Sequence, residues 1–289
     1  MYLMKKFFLL GTSIALLACQ QQSNVDLKTL YSLPKKLKEV SGITYFPETD
    51  MIYTIEDSGN KNEVYVINSK GKLEKTIAIN NAVNTDWEDI TKDKEGNIYI
   101  GDFGNNDNER KDLCIYKVAK GELNKENAIS EYKISFSYPE QTEFPPKKKE
   151  LFYDVEGFFE HGGYFYLFTK NRSKGFDGTA FIYKIKNASG TQEAVKIGEF
   201  KTCDNYNHCV LTSATISPDG KKVALLSHDK IVLFKDFSGD LFHKGSQTEI
   251  SLDHFSQKEA IIFKDNNTLL IADEKTNKVG GNVYEFKLK

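Results

Sequence analysis

The sequence predicts an all-β fold, a single β-propeller of five four-stranded blades closed by an N-terminal strand. Three observations predict it. Strand-sized apolar runs follow one another with no sustained helical period. Tyr and Phe, which favour pleated sheet, number 15 and 20 among the 289 residues. One pattern recurs five times along the chain, the mark of a repeat architecture.

Each copy is a strand, a turn rich in Asp, Asn or Gly, and a second apolar strand with a polar end. The copies are VSGITYFPETDMIYTIED from Val40, WEDITKDKEGNIYIGD from Trp87, VEGFFEHGGYFYLFTK from Val155, TSATISPDGKKVALLSHD from Thr212 and KEAIIFKDNNTLLIADE from Lys258. Third strands follow as EVYVIN, LCIYKV, AFIYKI, KIVLF and NVYEFKL. Fourth strands read as LEKTIAI, EYKISFSY, AVKIGEF and the segment around Gln247 to Leu252. The fifth copy reaches Lys289 before a fourth strand, which KTLYSL (Lys28 to Leu33) supplies from the other end of the chain. Four-stranded sheets repeated about an axis make a propeller. The anchors Ser41, Glu88, Glu156, Ser213 and Glu259 are 47, 68, 57 and 46 residues apart. A sixth, degenerate blade inside the longest interval is the alternative count. PEQTEFPPKKKE (139–150), in that interval, reads as a solvated loop over one face, with a lid as the competing reading.

The N-terminus reads as a leader rather than as part of the fold. Lys5-Lys6 precedes an apolar stretch from Phe7 to Leu17, too short to span a bilayer. The stretch closes on Leu16-Leu17-Ala18-Cys19, which is similar to a bacterial lipobox. The expected organisation is therefore a signal peptide over 1–18, a polar tether over 19–27 beginning at a lipidated Cys19, and a propeller over 28–289. Cys203 and Cys209 bracket CDNYNHC, and an oxidising compartment favours a loop disulfide between them. A metal site using His208 as well has too few ligands. Cys114 lies between apolar neighbours and is expected to be a buried thiol.

Without Lys5 and Lys6 the charged residues stand at 37 basic against 41 acidic. Such a chain has no basic footprint, which argues against a nucleic-acid partner.

In a propeller the first strand of each blade lines the axis, so equivalent positions converge. One column reads Ser41, Glu88, Glu156, Ser213, Glu259, and two residues earlier stand Glu39, Asp86, Asp154, Leu211 and Gln257. The ends of the second strands add Glu56-Asp57, Asp102, Thr169-Lys170, Ser227-His228 and Asp273-Glu274. Converging glutamates cannot all ionise unpaired at low dielectric. They either share a hard cation, for which oxygen ligands suit Ca²⁺, or pair with Lys170 and the backbone amides at strand starts. The candidate metal ligands are Glu88, Asp102, Glu156, Glu259 and Asp273. The candidate rim comprises Glu39, Glu56, Asp57, Asp86, Asp154, Lys170, His228 and Glu274. Gly104 to Arg110, carrying Asp107, reads as an exposed polar connection. His228 is a rim residue or a candidate base.

The segments EVSGITYFPETDMIYTIEDSG, DWEDITKDKEGNIYIGDFGNND, YDVEGFF…YLFTK and QKEAIIF…LLIADE resemble bacterial secreted propellers of the SdiA-regulated and esterase-like-phytase type. The resemblance implies a periplasmic or surface propeller with Ca²⁺ or another divalent ion at its centre. It assigns acidic blade starts to Glu88, Glu156 and Glu259, and acidic strand ends to Asp57, Asp102 and Asp273. Lys170, His228 and Ser213 depart from it, and the absence of a clustered Arg/Lys rim argues against phytase activity.

Three functions follow as expectations. The first is a monomeric propeller, lipid-anchored at the periplasmic face of the outer membrane, that binds a divalent cation or a small-molecule, glycan or protein ligand at its rim. The second is a calcium-dependent hydrolase of an ester, lactone or phosphoester, with His228 as base. The third is a structural envelope scaffold.

Overall fold

A computed structural model describes residues 27–277 and 279–289. Cys19 and the leader expected before it lie outside the described residues. Alternating apolar positions and tight polar turns build antiparallel hairpins, and these assemble into five blades about one axis. Blade 1 comprises Val40–Phe46, Met51–Glu56, Glu63–Asn68 and Leu73–Ile79. Blade 2 comprises Trp87–Lys92, Ile98–Asp102, Cys114–Val118 and Tyr132–Ser137. Blade 3 comprises Asp154–His161, Tyr164–Lys170, Thr179–Lys186 and Val195–Lys201. Blade 4 comprises Ser213–Ile216, Val223–Leu226, Lys230–Lys235 and Ser246–Ser251. Blade 5 comprises Lys258–Asp265, Thr268–Asp273, Asn282–Lys287 and the N-terminal Lys28–Ser32, which pairs antiparallel with Asn282–Lys287 and closes the ring.

The core is divided rather than central. Each strand sends alternate side chains to its two neighbouring blades, so one apolar cluster fills each gap between sheets. Ile98 packs toward blade 1 and the next residue, Tyr99, toward blade 3. Trp87, fully buried between blades 1 and 2, satisfies its indole by donating Nε1–H to Val83 O at 2.9 Å.

Two short strands were not evident in the sequence. Asn127–Ala128 adds in parallel to the outer strand of blade 1, and Gly190–Glu193 to that of blade 2. In each case a blade covers the open edge of the blade before it, blunting a surface that would otherwise pair with another chain. The longest interval therefore holds a latch and an insertion, not a sixth blade.

The loop from Gly104 to Arg110 corrects the expectation of an exposed connection. Asn105 and Asn108 are buried, and only Asn106, Asp107 and Glu109 face solvent. Asn108 Oδ1 accepts Tyr153 N–H at 2.8 Å, and Gln141 of the insertion donates to Asn108 O at 2.7 Å. The amide side chains take over pairing that the irregular backbone cannot make with itself.

Candidate cation-binding mouth

Each inner strand enters the fold at one mouth of the axis, and four of the five enter through a register shift. The shifts fall between Val40 and Gly42, Trp87 and Asp89, Val155 and Gly157, and Lys258 and Ala260. The residues they pass over are Ser41, Glu88, Glu156 and Glu259. A bulge re-aims the extra residue out of the pleat, which is how polar side chains reach the axis from strands otherwise committed to apolar packing. Blade 4 pairs Ser213 with Leu226 without a shift.

These residues surround a hollow of about 110 Å³ lined by Ser41, Asp57, Glu88, Asn106, Glu156, Lys170, Arg172, Glu259 and Glu274. Five carboxylates face two cations. Oxygens of Glu88, Asp154 and Glu156 lie within 4.8 Å of one another. Lys170 Nζ sits 2.9 Å from Glu156 Oε1, and Arg172 reaches the same oxygen at 2.8 Å and Asp154 Oδ2 at 2.6 Å. Both cations use Oε1, so Glu156 Oε2 has no hydrogen-bond partner among the described residues. Glu88 has none through either oxygen. Gly104 makes room for this crowding, since a Cβ there would lie 2.2 Å from Glu88 Oε1 and 2.3 Å from Asp86 Oδ2.

The predicted acids separate into distinct roles. Asp102 and Asp273, expected as metal ligands, are withdrawn from the hollow by hydrogen bonds. Asp102 Oδ1 accepts Asp86 N–H at 3.0 Å and pairs with Arg110 at 2.9 Å. Asp273 is fully buried, with Asn282 N–H and the Tyr284 hydroxyl each 2.8 Å from its oxygens. Glu56 likewise caps Lys38 N–H at 2.9 Å instead of standing on the rim. Asp154, expected on the rim, joins Glu88 and Glu156 in the cluster, and its Oδ1 accepts Asn105 N–H at 2.7 Å. Glu39 and Asp57 share the Asn60 amide at 2.9 and 3.1 Å. His228 stands beside the hollow: Nδ1 is 3.0 Å from Asn207 O, and Nε2 is 3.5 Å from Glu259 Oε1.

Unbalanced negative charge marks the site electrostatically. Burial, with Glu39 and Asp86 adding repulsion, pushes Asp57 up to about 7. Burial and then Glu259 and Asp57 push Glu274 up to about 8. Glu88 is held well above the ordinary carboxylate range by burial, then by Glu156 and Asp86. Such shifts arise where charge is confined without compensation.

Two residue classes escaped the sequence reading. The chain holds only two arginines, Arg110 and Arg172, and both pair with acids at this mouth. That scarcity was the available signal, because the guanidinium fork suits buried carboxylate pairing better than the ammonium that serves elsewhere in the chain. The other is Asp89, 2 % exposed, which closes the axis beneath the hollow. Its Oδ2 accepts from Phe158 N–H and Ser213 Oγ, both at 3.2 Å, and its Oδ1 accepts Ile90 N–H at 2.8 Å. Ser213 Oγ in turn accepts Ile261 N–H at 3.2 Å, so this node ties together blades 2 to 5. A Cβ on Gly42 of blade 1 would lie 2.8 Å from Asp89 Oδ1.

The disulfide loop supports the mouth from outside. Cys203 and Cys209 are bonded to each other. Within their loop the Tyr206 hydroxyl accepts from Arg172 Nη1 at 3.1 Å, while Asn207 O receives His228.

No protein-family model matches the chain, and no curated protein sequence matches it. Among solved structures, the PQQ-bound aldose sugar dehydrogenase from Streptomyces coelicolor is similar at 8 % identity with a TM-score of 0.51, over 90 % of this chain and 97 % of that one. U3-55K aligns at 11 % identity with a TM-score of 0.45, over 91 % and 98 %. At such identities the likeness to the dehydrogenase is one of fold, and the chain is a five-bladed β-propeller by its own sheet order.

Proposed function

We propose that this protein is a binding propeller whose acidic mouth takes a divalent cation, Ca²⁺ by preference. One observation carries the reading: five carboxylates face two cations in the hollow, and Glu88 and Glu156 Oε2 have no hydrogen-bond partner among the described residues. The donors are all hard oxygens, and the 4.8 Å limit on their separation suits oxygens bridged by an ion with Ca–O contacts of about 2.3–2.6 Å. Lys170 and Arg172 offset part of the charge and hold Glu156 and Asp154 in place. Glu88 is the ligand most in need of the ion.

Binding is favoured over catalysis because the hydroxyl at the hollow and the candidate base His228 are already engaged. Ser41 Oγ donates to Trp87 O at 2.7 Å, which removes it as a nucleophile. With the lipobox-like LLAC segment, the reading becomes a cation-binding module held at the periplasmic face of the outer membrane.

Calorimetric titration of chelator-treated protein with Ca²⁺ tests it. The expected result is one ion per chain, with binding weakened at least tenfold by Glu88→Gln. Absence of binding, together with a melting temperature indifferent to Ca²⁺ and EDTA, would overturn the reading.

A further inference from the structure

We propose that the opposite mouth of the propeller is a second binding site, for a small monoanionic carboxylate with an apolar body. The site is a cavity of about 310 Å³ to which the far ends of all five inner strands contribute. That size falls at the lower end of small-ligand pockets. It shares no lining residue with the acidic hollow, and the Asp89 node lies between them. A ligand here is therefore independent of the cation site.

The floor is apolar, formed by Phe159, Ile262 and Phe263. Thr91 opens onto it: the residue as a whole is 5 % exposed, and its hydroxyl, free of hydrogen bonds to other described residues, is open to the cavity's solvent. Thr215, 1 % exposed, accepts Phe263 N–H at 3.4 Å, which leaves its own proton available to an acceptor in the cavity.

Lysines outnumber acids among the lining residues of this mouth, the reverse of the hollow. Lys92, Lys94 and Lys264 line the cavity with Asp93 and Glu160. Asp93 is consumed internally, by Asn97 N–H at 2.9 Å, the Asn97 amide at 2.7 Å and the Tyr99 hydroxyl at 2.9 Å. Lys264 pairs with Glu285 at 3.2 Å. Lys92 lies 5.5 Å from the Phe46 ring centroid, and among the described residues neither it nor Lys94 forms an ion pair, although Lys94 acts on the Glu160 carboxylate from a distance. Burial and the neighbouring Lys94 keep His161 below its ordinary range, so a neutral imidazole is present to donate a hydrogen bond. Hydroxyl, imidazole and ammonium donors around an apolar floor match a carboxylate on a hydrocarbon or aromatic body. Glu160 on the same lining disfavours a second negative charge on the ligand.

The test is titration of the full chain with phenylacetate, read by calorimetry and by the His161 ring resonances. Phenethylamine and inorganic phosphate serve as comparison probes. Phenylacetate is expected to bind and shift the His161 signals, with affinity falling about tenfold in Lys94→Glu and about threefold in Thr91→Val. Lys147→Glu, a charge reversal on the exposed insertion, is expected to leave binding unchanged. Binding of phenethylamine or phosphate as tight as that of phenylacetate would overturn the proposal. So would undisturbed His161 signals, or equal weakening by Lys94→Glu and Lys147→Glu.

Discussion

Arg172 Nε stands 2.6 Å from Asp154 Oδ2, and the same guanidinium meets Glu156 Oε1 at 2.8 Å, so one side chain bridges two buried acids of blade 3. Removing it leaves Asp154 without its ion-pair partner and Glu156 with Lys170 alone. Arg172→Met is expected to cost about 3 kcal/mol, the usual penalty for breaking a buried pair from one side. Ca²⁺ should restore much of that loss, because the ion takes over the cation's place. Thermal melts of the variant with and without Ca²⁺ check this, and the stabilisation by the ion should exceed that of the parent protein.

Stability without a cation should fall as pH rises from about 4 to 8. The unfolded chain releases the Asp57 and Glu274 protons near pH 4, whereas the folded protein keeps them to about 7 and about 8. Between these limits the folded state binds more protons, so each step upward in pH favours unfolding. Allowing for solvent screening of these half-buried groups, the loss is about 2 kcal/mol, or ~5 °C in Tm. Saturating Ca²⁺ should flatten the profile, and its stabilisation should be larger at pH 8 than at pH 5. Melting curves across that range in EDTA and in Ca²⁺ supply both halves of the comparison.

Asp89 should behave as a structural node. Asp89→Ala strips the acceptor from Phe158 N–H, Ile90 N–H and Ser213 Oγ, and is expected to cost about 3–5 kcal/mol. Asp89→Asn retains an acceptor oxygen in nearly the same volume and should cost less by at least ~1 kcal/mol. Denaturant unfolding of the two variants gives the ranking. Calcium stoichiometry in whichever variant folds should stay at the parent value.

The blade count was legible because its determinants are local: alternating strands, Gly- and Asp-rich turns, and a spacing that repeats. The convergence of Glu88, Glu156 and Glu259 was legible for the same reason, since one column of a repeat lands on one ring. Asp102 and Asp273 look no different in sequence. What withdraws them is a backbone amide and a hydroxyl or guanidinium brought close by tertiary packing. Asp89 was hidden by the bulge. A period-two reading assigns consecutive residues to opposite faces, but the register shift between Trp87 and Asp89 interrupts that period where Glu88 and Asp89 meet the axis. Arg172 lies two residues beyond a strand end, outside the aligned columns, and its partners belong to another strand of the same blade.

The disulfide loop offers the last prediction. Bonding Cys203 to Cys209 closes a short loop, and its loss should cost about 2 kcal/mol in the chain-entropy account. Cys203→Ser/Cys209→Ser is thus expected to lower Tm by ~5 °C. The loop also pins Arg172 through the Tyr206 hydroxyl at 3.1 Å. Tyr206→Phe deletes that single contact and leaves the disulfide intact. A guanidinium held less firmly yields more readily to an incoming ion, so Ca²⁺ should bind about threefold tighter, the equivalent of one modest hydrogen bond. The double serine variant should show the same tightening alongside its lower Tm. Calorimetry of both variants separates the two effects: tightening without a large loss of stability in Tyr206→Phe would trace the link from loop to mouth to that one hydroxyl.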